Sequence, residues 1–298
     1  MKIFVTGATG WIGSTVVDQL LAAGHDITGL ARSDTSAAAL AAKGARALRG
    51  DLDDLAGIRA GAEAAEAVVH LANKHDFADQ AATNRAERGA VQAVGEVLAG
   101  SHRPFVVAAG LAFLAAGRTA TEADRSPFHG VDSLRGGSEN LALEFAEKGV
   151  GTVVVRFAPT VHGAGDHGFL AGVVATARAK GVSAYAGDGA NRWAAVHRED
   201  AGRVVRLALE RGVPAGTVLH AAAEDGLLFR DIAEAVGRGL GLPTASVPVD
   251  DAAEHFGWLH KFATADMCAS ADATRTLLGW TPTGPTLEED LDSGCYYR

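Results

Sequence analysis

The chain has 298 residues, 48% of them hydrophobic and 21% charged, a balance that supports a sizeable buried core and excludes wholesale disorder. Lys and Arg number 27 against 36 for Asp and Glu, a formal charge of −9, so the average surface repels a phosphate backbone and nucleic acid is not an expected partner. Two cysteines, Cys268 and Cys295, cannot staple a framework, the apolar run 105–117 is too short to cross a bilayer, and residues 1–7 run directly into a strand pattern; no membrane contact and a cytoplasmic location are expected.

Short runs rich in Val and Ile alternate with longer Ala- and Leu-rich segments, the pattern of βα units around a parallel sheet. In chain order, strand 2–6 leads to helix 12–23, strand 26–31 to helix 36–43, strand 45–48 to helix 55–60, strand 67–71 to helix 77–99, and strand 104–109 to helix 131–148, before strand 152–157. Gly24, Gly44 and Gly149 stand where helix C-caps belong. The alternation weakens over 159–193, which is rich in Gly, His and Asp as a loop region over a site would be. Strand and helix patterns return at 194–209 and 217–221, and the tail gives helices at 229–239, 251–262 and 270–278, better suited to a lid than to extending the sheet. The expected fold class is α/β: a Rossmann-type doubly wound parallel sheet with a smaller, mostly helical C-terminal substrate region. Its parts are 1–157 for the dinucleotide, 158–196 as a substrate-side loop and helix, 197–222 as the return to the sheet, and 223–298 as the substrate or lid region.

The first strand ends in Gly7-Ala8-Thr9-Gly10-Trp11-Ile12-Gly13 and opens at once into a helix. Gly7 permits the tight turn, Gly10 lets the main chain approach a pyrophosphate, and Gly13 lets helix and strand pack closely. The first-turn N–H groups and the positive end of the helix then face the phosphates. At the end of the second strand, where an acidic residue would hold the ribose of NAD, the chain reads Ala31-Arg32-Ser33. An arginine with an adjacent hydroxyl suits a 2′-phosphate, so NADP(H) is the expected cofactor; the alternative leaves Arg32 as a solvated turn residue and brings Asp34 to the ribose.

These residues resemble the extended or atypical short-chain dehydrogenase/reductase superfamily, which includes NAD-dependent epimerase/dehydratase-like proteins, and the resemblance covers nearly the whole chain. It implies that Gly50-Asp51-Leu52 caps the adenine and that Val68-Val69-His70-Leu71-Ala72 runs beneath the cofactor, with Asn73 and Ala108 nearby. Lys74 reads either as a contact to the nicotinamide ribose or as a solvent-facing residue. Arg156-Phe157-Ala158-Pro159-Thr160-Val161-His162-Gly163 is similar to the segment leading to the nicotinamide carboxamide, and Gly187-Asp188-Gly189 with Val196-His197-Arg198-Glu199-Asp200 to the segment closing the substrate side. One departure matters more than these matches. The Tyr-x-x-x-Lys pair of the family aligns with Arg135-Gly136-Gly137-Ser138-Glu139, the strand hydroxyl with Ala108-Ala109-Gly110-Leu111, and no Tyr occurs before residue 185, so the family's proton-transfer apparatus cannot be carried over.

Other residues could then orient substrate and supply a proton or a charge. Arg135 could polarise a carbonyl or bind a carboxylate, its alternative being a surface arginine. His75, His129, His162 and His167 lie in loops expected to border the site, with Asp76 and Asp166 beside two of them; His162 is favoured because it follows the nicotinamide segment, and each has a structural, hydrogen-bonded role as its alternative. Phe77, Leu111, Phe113, Phe169, Trp193 and Trp258 would line an apolar, partly aromatic pocket with Arg192 beside it, although Phe113 and Trp258 read slightly better as core. No His-Glu-x-x-His or cysteine pair suggests a metal. The expected function is NADP(H)-dependent reduction of C=O or C=N in a small, partly apolar molecule, an imine fitting the missing tyrosine better than a ketone. The alternatives are a catalytically silent cofactor-binding sensor or scaffold and a redox-neutral epimerase or isomerase. The Ala-rich stretch 86–99 either pairs two copies as a homodimer or packs within its own subunit.

Overall fold

Residues 1–76, 79–115 and 117–298 are described by a computed structural model; Phe77, an expected pocket residue, lies outside the described residues. The elements are β1 (Lys2–Thr6), α1 (Trp11–Ala22), β2 (Asp26–Ala31), α2 (Asp34–Ala42), β3 (Arg46–Arg49), α3 (Leu55–Glu63), β4 (Ala67–His70), α4 (Gln80–Leu98), β5 (Pro104–Gly110), α5 (Ser138–Ala146) and β6 (Gly151–Phe157). They continue with β7 (Thr160–His162), α6 (Phe169–Lys180), β8 (Ser183–Ala186), β9 (Arg192–His197), α7 (Arg198–Glu210), β10 (Thr217–Ala221), β11 (Glu224–Leu228), α8 (Phe229–Leu240), β12 (Thr244–Val247), α9 (Ala252–Phe256), α10 (His260–Ala263), α11 (Asp272–Leu278) and α12 (Leu287–Asp292).

Seven strands form a parallel sheet in the order β10-β6-β5-β4-β1-β2-β3. The chain winds outward from β1 to β3, then returns to β4 on the other side of β1, so the two halves diverge at a switch point between β1 and β4. This is the doubly wound Rossmann architecture. The strands are apolar on both faces because helices cover both. Ile3, Val5, Val69, Val106 and Val155 face a core shared with Val16, Leu20, Val204 and Val205 of α1 and α7. Phe4, Val68, Phe105 and Val107 point the other way, against Ile58, Ala90, Val94 and Phe145 of α3, α4 and α5. The small residues of α4 are needed there, since a Cβ on Gly95 would lie 2.4 Å from the Phe145 ring.

The structure departs from the sequence reading at three points that matter for the site. The helix expected over 131–148 begins only at Ser138; before it, Leu134–Gly137 makes a tight turn with Arg135, Gly136 and Gly137 at φ 54°, 62° and 60°. Helix 251–262 is broken at Gly257, which has φ 56°. The tail is not a bare lid. Sheets β11-β9-β7 and β12-β8 join it to α6, and a second core forms around Trp193, Phe229, Phe256, Leu259 and Met267. Among the described residues no helix is long and apolar enough to cross a membrane.

Candidate functional site

The turn after β1 is shaped for close approach. Gly7 has φ 69°, and a Cβ there would lie 2.7 Å from the Ala72 nitrogen. The Gly10 N–H donates to the Gly7 carbonyl at 2.9 Å, while a Cβ on Gly13 would stand 1.9 Å from that same carbonyl oxygen. Helix α1 therefore starts hard against the strand end, with Gly10 as its N-cap, no capping side chain and no acidic residue in its first turn. Its leading N–H groups are left for an external acceptor, and the helix dipole favours an anion. A dinucleotide pyrophosphate fits this cradle. Trp11 borders it: its indole N–H donates to the Val161 carbonyl at 2.7 Å, His167 meets its ring edge-on at 5.7 Å, and the Arg198 guanidinium lies 4.2 Å from its centroid. Thr9 and Ile12 flank it in the same turn, Thr9 exposed and Ile12 half-buried.

Sheet order aligns the other expected cofactor residues along one edge. At the carboxyl ends of β3, β2, β1, β4, β5 and β6 stand, in that spatial order, Asp51 and Leu52, Arg32 and Ser33, the glycine turn, Leu71 to Lys74, Ala108, and Pro159 with Val161. Asp51 folds its own loop, accepting from the Asp53 N–H at 2.9 Å, and Leu52 is buried. Arg32 is exposed. The Ser33 hydroxyl serves as the N-cap of α2, accepting from the Ser36 N–H at 3.1 Å. Asp34 lies 3.4 Å from Arg49, both largely solvated. Lys74, partly exposed, is paired with Asp53 at 2.6 Å.

Next to this edge lies a charged cluster whose centre the sequence reading missed. Glu87 of α4 is fully buried and accepts from Arg135 Nε at 2.9 Å, from Arg135 Nη2 and from the Asn73 amide. Burial pushes its carboxyl pKa up, and Arg135 and Asn73 oppose that shift. The same helix face folds the turn that carries Arg135: Asn84 donates to the Ser133 carbonyl and Arg88 to the Gly136 carbonyl, each at 2.9 Å. Gly136 is required there, because a Cβ would lie 2.5 Å from the Asn84 carbonyl oxygen. The guanidinium borders a small cleft with Ala108, Gly110, Ala112, Phe128 and Glu139. Below it, buried His70 bonds Thr6 through Nδ1 at 2.9 Å, and burial with the Arg135 charge lowers its pKa to about 3.

Glu139 is held from behind. It accepts from Arg156 Nε at 3.1 Å and Nη2 at 2.6 Å, and Arg156 is itself fully buried. Arg156 Nη1 meets His220 Nε2 at 3.2 Å, and His220 Nδ1 meets the Ser270 carbonyl at 2.7 Å. A carbonyl only accepts, so Nδ1 carries the proton and the imidazole is neutral; burial lowers its pKa to about 4.

Several expected site residues belong elsewhere. His162 is fully buried, with Nδ1 2.6 Å from Asp290 and its ring 5.5 Å edge-on from His197. It ties β7 to α12, so no substrate reaches it in this conformation, and burial lowers its pKa against the pull of Asp290. Trp193 and Leu111 are core residues, Trp193 donating to the Phe262 carbonyl at 3.0 Å. Arg192 is paired bidentately with Asp266. His129 is exposed beside Asn140, 3.5 Å away. His75 stays near the cluster: its backbone N–H donates to Asn73 Oδ1 at 2.7 Å, and desolvation, then the Arg135 charge, lowers its pKa. Phe113 and Trp258 are not core, being 38% and 49% exposed, and they flank Phe169 and Phe262.

A parallel doubly wound sheet with a bare, glycine-edged helix N-terminus at its switch point defines a dinucleotide-binding protein. Residues 3–125 match the NAD dependent epimerase/dehydratase family, and the chain belongs to that family. It is 42% identical over 298 residues, the full length of both chains, to an uncharacterized protein of Schizosaccharomyces pombe. It is 33% identical over 262 residues, 85% of this chain and 71% of the relative, to the 2'-dehydrokanamycin reductase of Streptomyces kanamyceticus. Its fold is similar to that of DesIV, a dTDP-glucose 4,6-dehydratase from Streptomyces venezuelae solved with NAD, with a TM-score of 0.80, 20% identity and coverage of 100% of this chain and 97% of that one.

Proposed function

We propose that the protein is an NADP(H)-dependent oxidoreductase that reduces a C=O or C=N group of a small, partly apolar molecule. The observation that carries this reading is the shared sheet edge of two cationic features, the unpartnered N-terminus of α1 and the Arg135 guanidinium. Arg32, exposed just beyond β2, supplies the countercharge for a 2′-phosphate. The bound dinucleotide would supply the hydride. Glu87 fixes Nε and Nη2 of Arg135, so Nη1 remains to donate a hydrogen bond to a carbonyl oxygen and stabilise its developing charge. An iminium needs no proton, and the alkoxide formed from a ketone or aldehyde takes its proton from solvent, because His75, with its pKa lowered beside the Arg135 charge, is neutral near pH 7. The likeness to a reductase of 33% identity favours net reduction over epimerisation.

The test is calorimetric titration with NADPH and NADH, followed by turnover of a panel of aldehydes, ketones and cyclic imines. Tighter NADPH binding and turnover that Arg135→Ala abolishes are expected. Tighter NADH binding would defeat the cofactor assignment, and an active Arg135→Ala variant would defeat the site. A cofactor-binding sensor is the second reading, supported by Glu139 being held through Oε1 by buried Arg156; it predicts cofactor binding without turnover of any panel member.

A further inference from the structure

We infer that the face formed by Phe113, Phe262, Phe169 and Trp258 holds a planar aromatic ring of the substrate, the group to be reduced pointing toward Arg135. Four rings from three parts of the chain stand in a row: Phe113 lies 5.4 Å from Phe262, Phe262 4.3 Å from Phe169, and Phe169 5.9 Å from Trp258. The two inner rings are half-buried, whereas the outer two are 38% and 49% exposed. Apolar side chains of this size are normally driven inward. Phe113 is moreover held at φ 63°, a left-handed conformation that costs a non-glycine residue on the order of 1 kcal/mol. The second core anchors the row from below, where Trp193 lies 6.2 Å from Phe169 and bonds the Phe262 carbonyl.

The position of the row selects its occupant. Phe113 follows the carboxyl end of β5, the side of a doubly wound sheet where ligands bind. Its neighbour Ala112 lines the same cleft as Arg135 and packs against the second core. Phe113 therefore stands one residue from the lining of that cleft, on the side that faces the second core. A flat ring has π-faces for the phenyl and indole edges and faces to meet, in offset or edge-on geometry; a saturated ring of the same carbon skeleton fills the space without that complementarity.

The orientation of the reacting group rests on the reductase reading, whereas ring binding does not. With NADPH bound, naphthaldehyde should be reduced with a kcat/KM about tenfold above that of its fully saturated bicyclic counterpart, about 1.4 kcal/mol. Phe113→Ala and Trp258→Ala should each lose most of that preference. Leu277→Ala, an exposed apolar control on α11, should keep it, and thermal melting reports whether each variant is folded. Naphthamide, which is not reduced, provides the independent arm: it should bind the cofactor-loaded protein in calorimetry, and Trp258→Ala should weaken it. Naphthamide binding without turnover of any carbonyl or imine would overturn the reductase reading and sustain this one. Turnover without aromatic preference, or naphthamide binding unaffected by both substitutions, would overturn this one. So would a Trp258→Ala variant that turns a dimer into a monomer in sedimentation while retaining the preference.

Discussion

Replacing Arg135 exposes how the charged cluster is held. Arg135→Ala removes the cation facing Glu87, a carboxylate with 1% side-chain exposure, and leaves only the Asn73 amide as its partner. Removing one member of a buried ion pair costs about 3–5 kcal/mol; with Asn73 retained, about 3 kcal/mol at neutral pH is expected. The pH dependence follows from Glu87. Its folded pKa is already above the ordinary value of 4.5, so between that value and the raised one the folded state holds the extra proton and stability falls as pH rises. Loss of Arg135 removes an opposing influence and moves the folded pKa higher. The deficit of the variant should therefore shrink as pH is lowered and Glu87 becomes neutral. Urea unfolding of wild type, Arg135→Ala, Glu87→Gln and the double variant, at neutral and acidic pH, forms the cycle. A deficit below about 1 kcal/mol, or one equal at both pH values, would refute the pairing as the reason Arg135 is held. Arg135→Gly should be less destabilising than Arg135→Ala by about 1 kcal/mol, because only glycine adopts φ 54° without strain.

Gly13→Ala forces α1 away from β1, since its Cβ would meet the Gly7 oxygen at 1.9 Å; about 1–3 kcal/mol of stability and most calorimetric NADPH binding should be lost. Arg32→Glu should lower NADPH affinity more than tenfold, by about 1.4 kcal/mol or more, and spare NADH, as fluorescence titration would report. His70 and His220, held at about 3 and about 4, bind protons more readily when unfolded. The stability these two histidines contribute is therefore full above pH 6.5 and declines as pH falls toward those values, and His220→Gln should flatten that part of the slope in urea midpoints. Tyr296→Phe removes a hydroxyl that donates to Asp166 at 2.9 Å and accepts from the Gly163 N–H at 3.2 Å; a loss of about 1–2 kcal/mol and faster amide exchange over 163–168 are expected.

The sheet was legible because its signals are local. Alternating apolar runs end in glycine turns, and Gly7, Gly10 and Gly13 require a strand-to-helix junction whatever follows. The cluster around Glu87 was not legible, because it depends on α4 lying against the 134–137 turn, a contact about 48 residues distant in sequence. Its trace was present all the same: Asn84 and Glu87 are polar residues on the buried face of α4, most of whose other buried positions are alanine or valine, with Arg88 beside them. His162 misled because position after β6 suggested the site, whereas Asp290, in the last helix, captures it. Phe113 and Trp258 read as core by residue type alone; their exposure comes from the left-handed backbone at Phe113 and from how the tail folds around Gly257.

The three left-handed residues before α5 also limit what engineering could restore. A tyrosine and lysine four apart cooperate only when one helical turn stacks them, and here position 135 lies outside the helix that contains position 139. Grafting both side chains would point the phenol from a loop and set a lysine against buried Arg156, two cations in one dry space. On the function proposed above, chemistry on this edge is built around the guanidinium and its carboxylate anchor, and transplants from related enzymes would have to carry the 133–137 backbone along with the residues.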